Sequence, residues 1–449
     1  MVTSCGASEI WPKGSTVSSA YQTRLRTAAE AAALVRPRDA VCVPLGPGQP
    51  GAFLEALGDR DYEDLAIFCA LLLAPHAVLF KPGVRVLSGF YGPVERALRD
   101  QGLRVDFVPA DFRRYAPAMR RLGARVVATV AAPPDSNGRM SLSLHAGASI
   151  DELHRAAADP DRLLVVEINA HLPRTFGIDP GHPHSLAIEE ADVIIESAQP
   201  PPTLPESAPN EVERAIAEQI RPYIRDGTTL QTGIGGIPST IVELLASSPG
   251  GDYGVHSEMF TTGLMKLHLA GKVTNRKGVY DGLSISTFAL GTEELHNWLH
   301  EREDVRFLPV DIVNDPSVIA RNRRMLSING ALAVDLHGQI AADTIDGRQF
   351  SGIGGAEDFV SGASFSDGGH SIVCLPSTAR VGERVVSRIA ARFPAGALVT
   401  TPRHQVDVVV TEFGSAELCG LTVAERASAL AAIAHPMFRD ELREVASRR

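Results

Sequence analysis

Short apolar runs and amphipathic stretches alternate along the first half of this chain, and the alternation predicts strands followed by helices. Apolar clusters at 40–44, 85–87, 105–108, 126–130, 163–168 and 193–195 have strand length, whereas 28–34, 92–101 and 150–158 read as helices. Strands and helices alternating at this spacing imply βαβ units around a mainly parallel sheet. The most apolar stretch, 65–74, runs into Pro75 and His76. It is too short to span a bilayer, and a buried helix is expected there.

Residues 198–210 contain five prolines. Proline fixes φ and removes a backbone donor, so this segment is expected to be an extended connection. The expected division is therefore an α/β domain over 1–199, a linker over 200–210 and a second α/β domain over 211–449. Asn210 with Glu213 three residues on has the form of a capping box, and Val212, Ala215, Ile216 and Ile220 give the following helix one apolar face. The scheme then repeats, with strands at 228–234, 284–290, 326–336, 371–375 and 406–411 and a helix at 293–300. A loop is expected at 351–358, and a C-terminal helix at 424–449 is punctuated by His435-Pro436.

Composition narrows the possible partners. The 449 residues are 44% hydrophobic and 21% charged, with a formal net charge of -10. That balance argues against sequence-independent nucleic-acid binding, which needs a basic face. It leaves room for an anionic small ligand held by backbone amides. Cysteines stand at 5, 42, 69, 374 and 419, without a CxxC pair, a pattern of reduced thiols. The N-terminus lacks a charged start followed by an apolar core, so a secretory signal is not expected. The expected compartment is the cytoplasm, with no membrane span.

Three glycine loops follow predicted strands, at 45–50, 233–240 and 351–358. Glycine lets the backbone come close to a ligand, and successive N–H groups can cradle an anion. Nucleotide signatures fail: Pro238 stands where a third Rossmann glycine belongs, and no Lys-Ser/Thr pair completes a phosphate loop. Three loops at strand ends point to a composite ligand site at the carboxyl edges of the sheets. Glu258 lies downstream of the second loop in an otherwise uncharged run, where a carboxylate can serve as nucleophile. His256 and His268 read as hydrogen-bonded rather than ligating. His182-Pro183-His184 and His435-Pro436 lack partners at metal spacing, so no metal is expected. No G-x-S-x-G elbow supports a serine hydrolase.

The second half closely resembles the acetyl-CoA hydrolase/transferase family, which includes 4-hydroxybutyrate and butyrate–acetate CoA-transferases. The runs that carry the resemblance are Leu230-Gln231-Thr232-Gly233-Ile234-Gly235-Gly236-Ile237-Pro238, His256-Ser257-Glu258-Met259-Phe260 and Asn314-Asp315-Pro316. They continue with Ser327-Ile328-Asn329, Ser351-Gly352-Ile353-Gly354-Gly355, Asp358-Phe359, Leu375-Pro376-Ser377 and Glu412-Phe413-Gly414. The first half is similar more loosely, best at Val166-Glu167-Ile168-Asn169 and Pro173-Arg174-Thr175-Phe176-Gly177.

The resemblance implies two similar α/β lobes of CoA-transferase topology with the active site between them, and a homodimer. It implies Glu258 as the catalytic glutamate, carrying a glutamyl-CoA thioester. Coenzyme A would lie along Gly233, Ile234, Gly235, Gly236 and Ile237, near Leu332 and against Gly355. Gly354 and Gly355 are the candidate oxyanion donors, since glycine alone lets the backbone approach that closely. Asn329, Arg174 and Glu412 are candidates for orienting the carboxylate substrate. For attack at neutral pH the Glu258 pKa is expected to stay low, held down by aimed N–H groups. Acyl-CoA and short-chain carboxylates are the expected partners, with no tightly bound cofactor.

The chain departs from the family at Ala356-Glu357, where Gln-Val is common, at Phe350 and Phe413, where tyrosine is common, and at Gly330, a usual serine. These positions bear on acyl specificity. The expected activity is CoA transfer by ping-pong kinetics. Acyl-CoA hydrolysis through the same glutamate is the alternative, and a CoA-binding protein without catalysis is opposed by the intact Glu258 and glycine loops.

Overall fold

The structure is a computed structural model in which residues 19–145 and 147–448 are described; the N-terminal segment read above against a secretory signal, with Cys5, lies outside them. The fold is α/β with mainly parallel sheets, in two compact units. One unit extends to Leu204 and takes back Ser286–Ile312, a segment that a single cut at the proline-rich stretch would leave with the other unit. The second comprises Pro205–Ile285 and the chain from Val313 onward. Residues 198–210 have no regular secondary structure, as five prolines require.

The first unit is built on seven strands: β1 (Arg38–Cys42), β2 (Asp64–Cys69), β3 (Val84–Ser88), β4 (Val105–Phe107), β5 (Val126–Ala131), β6 (Leu163–Asn169) and β7 (Val193–Ser197). Their order is β4-β3-β2-β1-β5-β6-β7, every pair parallel. Strand β2 corrects the expectation of a buried helix at 65–74. It pairs on both edges, with β1 and β3, and Leu65 to Cys69 are all buried. A parallel strand covered on both faces loses the polar alternation that marks a half-exposed strand, so its apolar run looks the same as a buried helix in sequence.

The second unit carries β8 (Thr229–Thr232), β9 (Gly254–Val255), β10 (Met325–Gly330), β11 (His370–Cys374), β12 (Val408–Thr411) and β13 (Gly414–Glu417), in the order β9-β8-β10-β11-β12-β13. All neighbours are parallel except the β12–β13 hairpin. The direction of winding reverses between β8 and β10, and a crevice at such a reversal is where open α/β sheets bind ligands. Asn210 caps helix Glu211–Ile220 through the full reciprocal box with Glu213. Expected single strands at 284–290 and 326–336 are each interrupted. The second breaks because Leu332 leaves β10 and donates its N–H to Ala341 instead. The loop expected over 351–358 ends earlier, since Ala356 already begins helix Ala356–Ser364. The C-terminal pattern resolves into helices Val423–Ala432 and Pro436–Ser447, with Pro436 at the first position of the latter, where its missing N–H costs nothing.

Ile67 in the middle of β2 is 1% exposed. Truncating it should cost about 2–5 kcal/mol, the usual range for emptying a packed aliphatic site. Denaturant unfolding of Ile67→Ala checks this, and a loss below about 0.5 kcal/mol would contradict a central strand at that position.

Candidate active site

Glu258 is positioned by the backbone that runs on from β9. His256 donates its N–H to Leu230 on β8, and Ser257 donates to Ile285. The Ser257 hydroxyl bonds the Met259 carbonyl at 2.9 Å, tightening the turn on which Glu258 sits. His256 is fully buried, and its Nε2 lies 2.8 Å from the Val313 carbonyl. Burial lowers its pKa to about 4, so the ring is neutral and donates from Nε2. That bond ties the Glu258 segment to the stretch that delivers Asn314. His268 bonds Ser284 at 2.9 Å, so both histidines are hydrogen-bonded, as the sequence suggests.

Among the described residues, Asn314, Gly355 and Asp358 act on the carboxylate. The Asn314 amide Nδ2 donates to Glu258 Oε2 at 2.7 Å and to Asp358 Oδ2 at 3.2 Å. The Gly355 N–H, at the N-cap of helix Ala356–Ser364, also donates to Glu258. A Cβ at Gly355 would stand 1.9 Å from Glu258 Oε2 and 2.2 Å from Asn314 Nδ2. The glycine is required here by space, because its φ of -94° is open to any residue. Gly354 beside it has φ +56°, a left-handed turn that brings the next N–H round onto the carboxylate.

The charge balance at Glu258 differs from the sequence expectation. The residue keeps a partial opening to solvent, but its carboxyl lies deep, and desolvation pushes its pKa up to about 8. The Asn314 and Gly355 hydrogen bonds pull the other way, while Asp358 adds repulsion. Desolvation wins because two donors replace only part of a carboxylate's water shell, and a buried like charge stands nearby.

Among the other predicted residues, the loop Gly233, Ile234, Gly235 runs from β8 into helix Gly236–Ser247 and is largely exposed. Gly235 has φ +121°, and no side chain caps the first turn, so its N–H groups remain available to an anion. Gly236 is bare for a packing reason, since a Cβ would lie 2.1 Å from the Glu213 carboxyl. Ile237 lies on the first turn and Leu332 just after β10. Asn329, near the carboxyl end of β10, has a buried Nδ2 without a hydrogen-bond partner among the described residues.

Glu412 and Arg174 already have hydrogen-bond partners. Glu412 accepts from the Ser377 N–H at 2.8 Å and from its hydroxyl at 2.6 Å. Arg174, in the first unit, bonds the carbonyls of Arg139 and Pro133 and pairs with Asp135. The first glycine loop forms a short turn at Gly46–Gly48 and lines a cleft of the first unit with Glu167 and Asn169. Asn314 and Asp358 join the site although the sequence assigns neither of them a role. Both stand in runs that carry the resemblance, Asn314-Asp315-Pro316 and Asp358-Phe359, but nothing local in those runs joins either side chain to Glu258.

A buried carboxylate gripped by an amide and a backbone N–H shares its unit with an open glycine-loop helix terminus. The chain belongs to the acetyl-CoA hydrolase/transferase family, whose C-terminal domain pattern matches residues 291–446. It is 37% identical over 434 residues to succinyl-CoA:cyclohexane-1-carboxylate CoA transferase of Geobacter metallireducens, across 95% of this chain and 96% of that one. It is 35% identical to 4-hydroxybutyrate coenzyme A transferase of Clostridium kluyveri, across 94% and 97% of the two chains. Among solved structures, RipA from Yersinia pestis superposes with a TM-score of 0.86 at 33% identity, covering 96% of this chain and 98% of RipA.

Two predictions follow from this geometry. Gly355→Ala should leave the fold intact by circular dichroism while lowering turnover roughly 100-fold or more, since it displaces both Glu258 and an N–H donor. The second concerns pH. Folded Glu258 binds its proton up to about pH 8, whereas an unperturbed glutamate releases it near 4.5, so the folded state holds more protons in this window and loses stability as pH rises through it. Glu258→Gln removes the penalty. Its melting temperature should exceed the parent's by a margin that grows between about pH 5 and about pH 8.

Proposed function

We propose that this protein is a CoA-transferase that moves CoA between a short-chain acyl-CoA and a free carboxylate through a glutamyl-CoA thioester on Glu258. The observation that carries the reading is the seating of Glu258 against the Gly355 N–H and the Asn314 amide, with no room for a side chain at 355. The names of relatives support it: succinyl-CoA:cyclohexane-1-carboxylate CoA transferase, 4-hydroxybutyrate coenzyme A transferase and butyryl-CoA:acetate CoA-transferase are among them.

In this reading ionised Glu258 attacks the acyl carbonyl of the thioester. The C–S bond breaks, CoA leaves as thiolate and a mixed anhydride forms. The thiolate attacks the glutamyl carbonyl, the anhydride C–O bond breaks and the first acid departs as carboxylate. A second carboxylate attacks the glutamyl thioester and expels the thiolate, which then attacks the new acyl carbonyl and frees Glu258. No net proton is gained or lost. When the glutamyl carbonyl is attacked, its oxygen takes negative charge, and the Asn314 and Gly355 donors that hold the carboxylate are already aimed at it. Such a donor contributes about 3 kcal/mol to acyl-transfer barriers. The anionic part of CoA fits the uncapped first turn at Gly235, Gly236 and Ile237. The free Asn329 Nδ2 suits a substrate carboxylate.

Incubation with acetyl-CoA followed by mass spectrometry of the intact protein and its peptides tests the reading. A CoA adduct at Glu258, absent in Glu258→Ala, is expected. Undiminished turnover in Glu258→Ala would overturn it. Added acetate, propionate or butyrate should accelerate consumption of a non-matching acyl-CoA with formation of the new thioester. Release of free CoA at a rate indifferent to every acid tried would instead identify a hydrolase.

A further inference from the structure

Asn314 is a buried amide whose NH₂ group is shared between two carboxylates on different segments. One hydrogen goes to Glu258 Oε2 and the other to Asp358 Oδ2. Asn314 and Asp358 are 0% and 1% exposed, and Asn314 Oδ1 has no hydrogen-bond partner among the described residues. An amide can flip end for end at no covalent cost. Flipped, Asn314 would set its carbonyl oxygen between two carboxylates and leave both without that donor, which a buried site penalises strongly. The second carboxylate therefore has a consequence for the first: it fixes which end of Asn314 faces Glu258.

We propose that Asp358 is a positioning residue that acts through Asn314 to orient the amide donor on Glu258, and whose negative charge biases Glu258 toward its acylated, uncharged form. The inference rests on the covalent role proposed for Glu258. Asp358 sits on the first turn of the helix whose N-cap is Gly355, so backbone donor and second carboxylate arrive on one rigid element. Among the described residues, the groups facing Glu258 are Asn314, the Gly355 N–H and Asp358, and the nearby His256 ring is neutral. When Glu258 is ionised, two negative charges share one amide in a desolvated setting. When Glu258 becomes a thioester, the C–O⁻ is replaced by a neutral carbonyl and the repulsion disappears. The repulsion thus raises the ionised state without raising the covalent intermediate.

The decisive comparison is between the parent and Asp358→Asn, measured as the equilibrium ratio of glutamyl-CoA to free enzyme at fixed acetyl-CoA and acetate. At about pH 9, where Glu258 is ionised, the ratio should fall about tenfold in Asp358→Asn, the equivalent of one pKa unit. At about pH 6, where the free glutamate is already protonated and uncharged, the two proteins should agree within about twofold. The pH-rate inflection for acylation should move down by about one unit. In an Asn314→Ala background the same Asp358→Asn change should produce a smaller loss of turnover, because the orienting effect has nothing left to act on. If Asp358→Asn fails to fold, Asp358→Glu retains the charge and should retain the parent's pH inflection.

A parent that forms no adduct at Glu258 defeats the covalent reading itself. A parent that forms it, with Asp358→Asn altering only the melting temperature and neither the pH 9 ratio nor the inflection, defeats this inference alone and leaves Asp358 as a structural acid on a helix N-terminus.

Discussion

The site depends on one close approach: the backbone of Gly355 lies so near the Glu258 carboxyl that no side chain fits between them. Two consequences come from that contact. The peptide N–H reaches the carboxylate directly, and the helix that Gly355 caps points its positive end at the same group. The contact also brings Asp358 within reach of Asn314, since both glycine and acid belong to one helical turn. Closeness, donor and repelling charge come as a set, and none can be altered without moving the others.

Burial sets the chemistry of that set. A solvated glutamate is ionised at neutral pH but is a weak nucleophile, screened by water. Here desolvation outweighs the two hydrogen bonds and lifts the pKa to about 8. The carboxylate, when ionised, is therefore high in free energy and well aimed, and any reaction that converts it to a neutral acyl group relieves the strain.

Much of the architecture was legible in the linear pattern because most strands are bounded by turn residues and most helices by caps. Asn210 with Glu213, and Pro436 after His435, state their helix starts in the sequence. Strand β2 was not legible. Its residues pack on both faces of a parallel sheet, and an unbroken apolar run carries no period to distinguish strand from helix. The assignment of Ser286–Ile312 to the first unit was hidden as well, since nothing in the composition of that segment marks the return of the chain.

The linear chain specifies the alternation of strands and helices, the glycine loops at strand ends, and Glu258 as the carboxylate to watch. These follow from local propensity, spacing and motif, which a chain carries without being folded. How Glu258 is charged, and which neighbours govern it, depends on the folded arrangement. Asn314 and Asp358 lie 56 and 44 residues from their bonding partners Glu258 and Asn314, so no local pattern could join them. It also separated the committed Glu412 and Arg174 from the free Asn329. A side chain's availability depends on which hydrogen bonds the fold has already filled, and that is a property of distances in space.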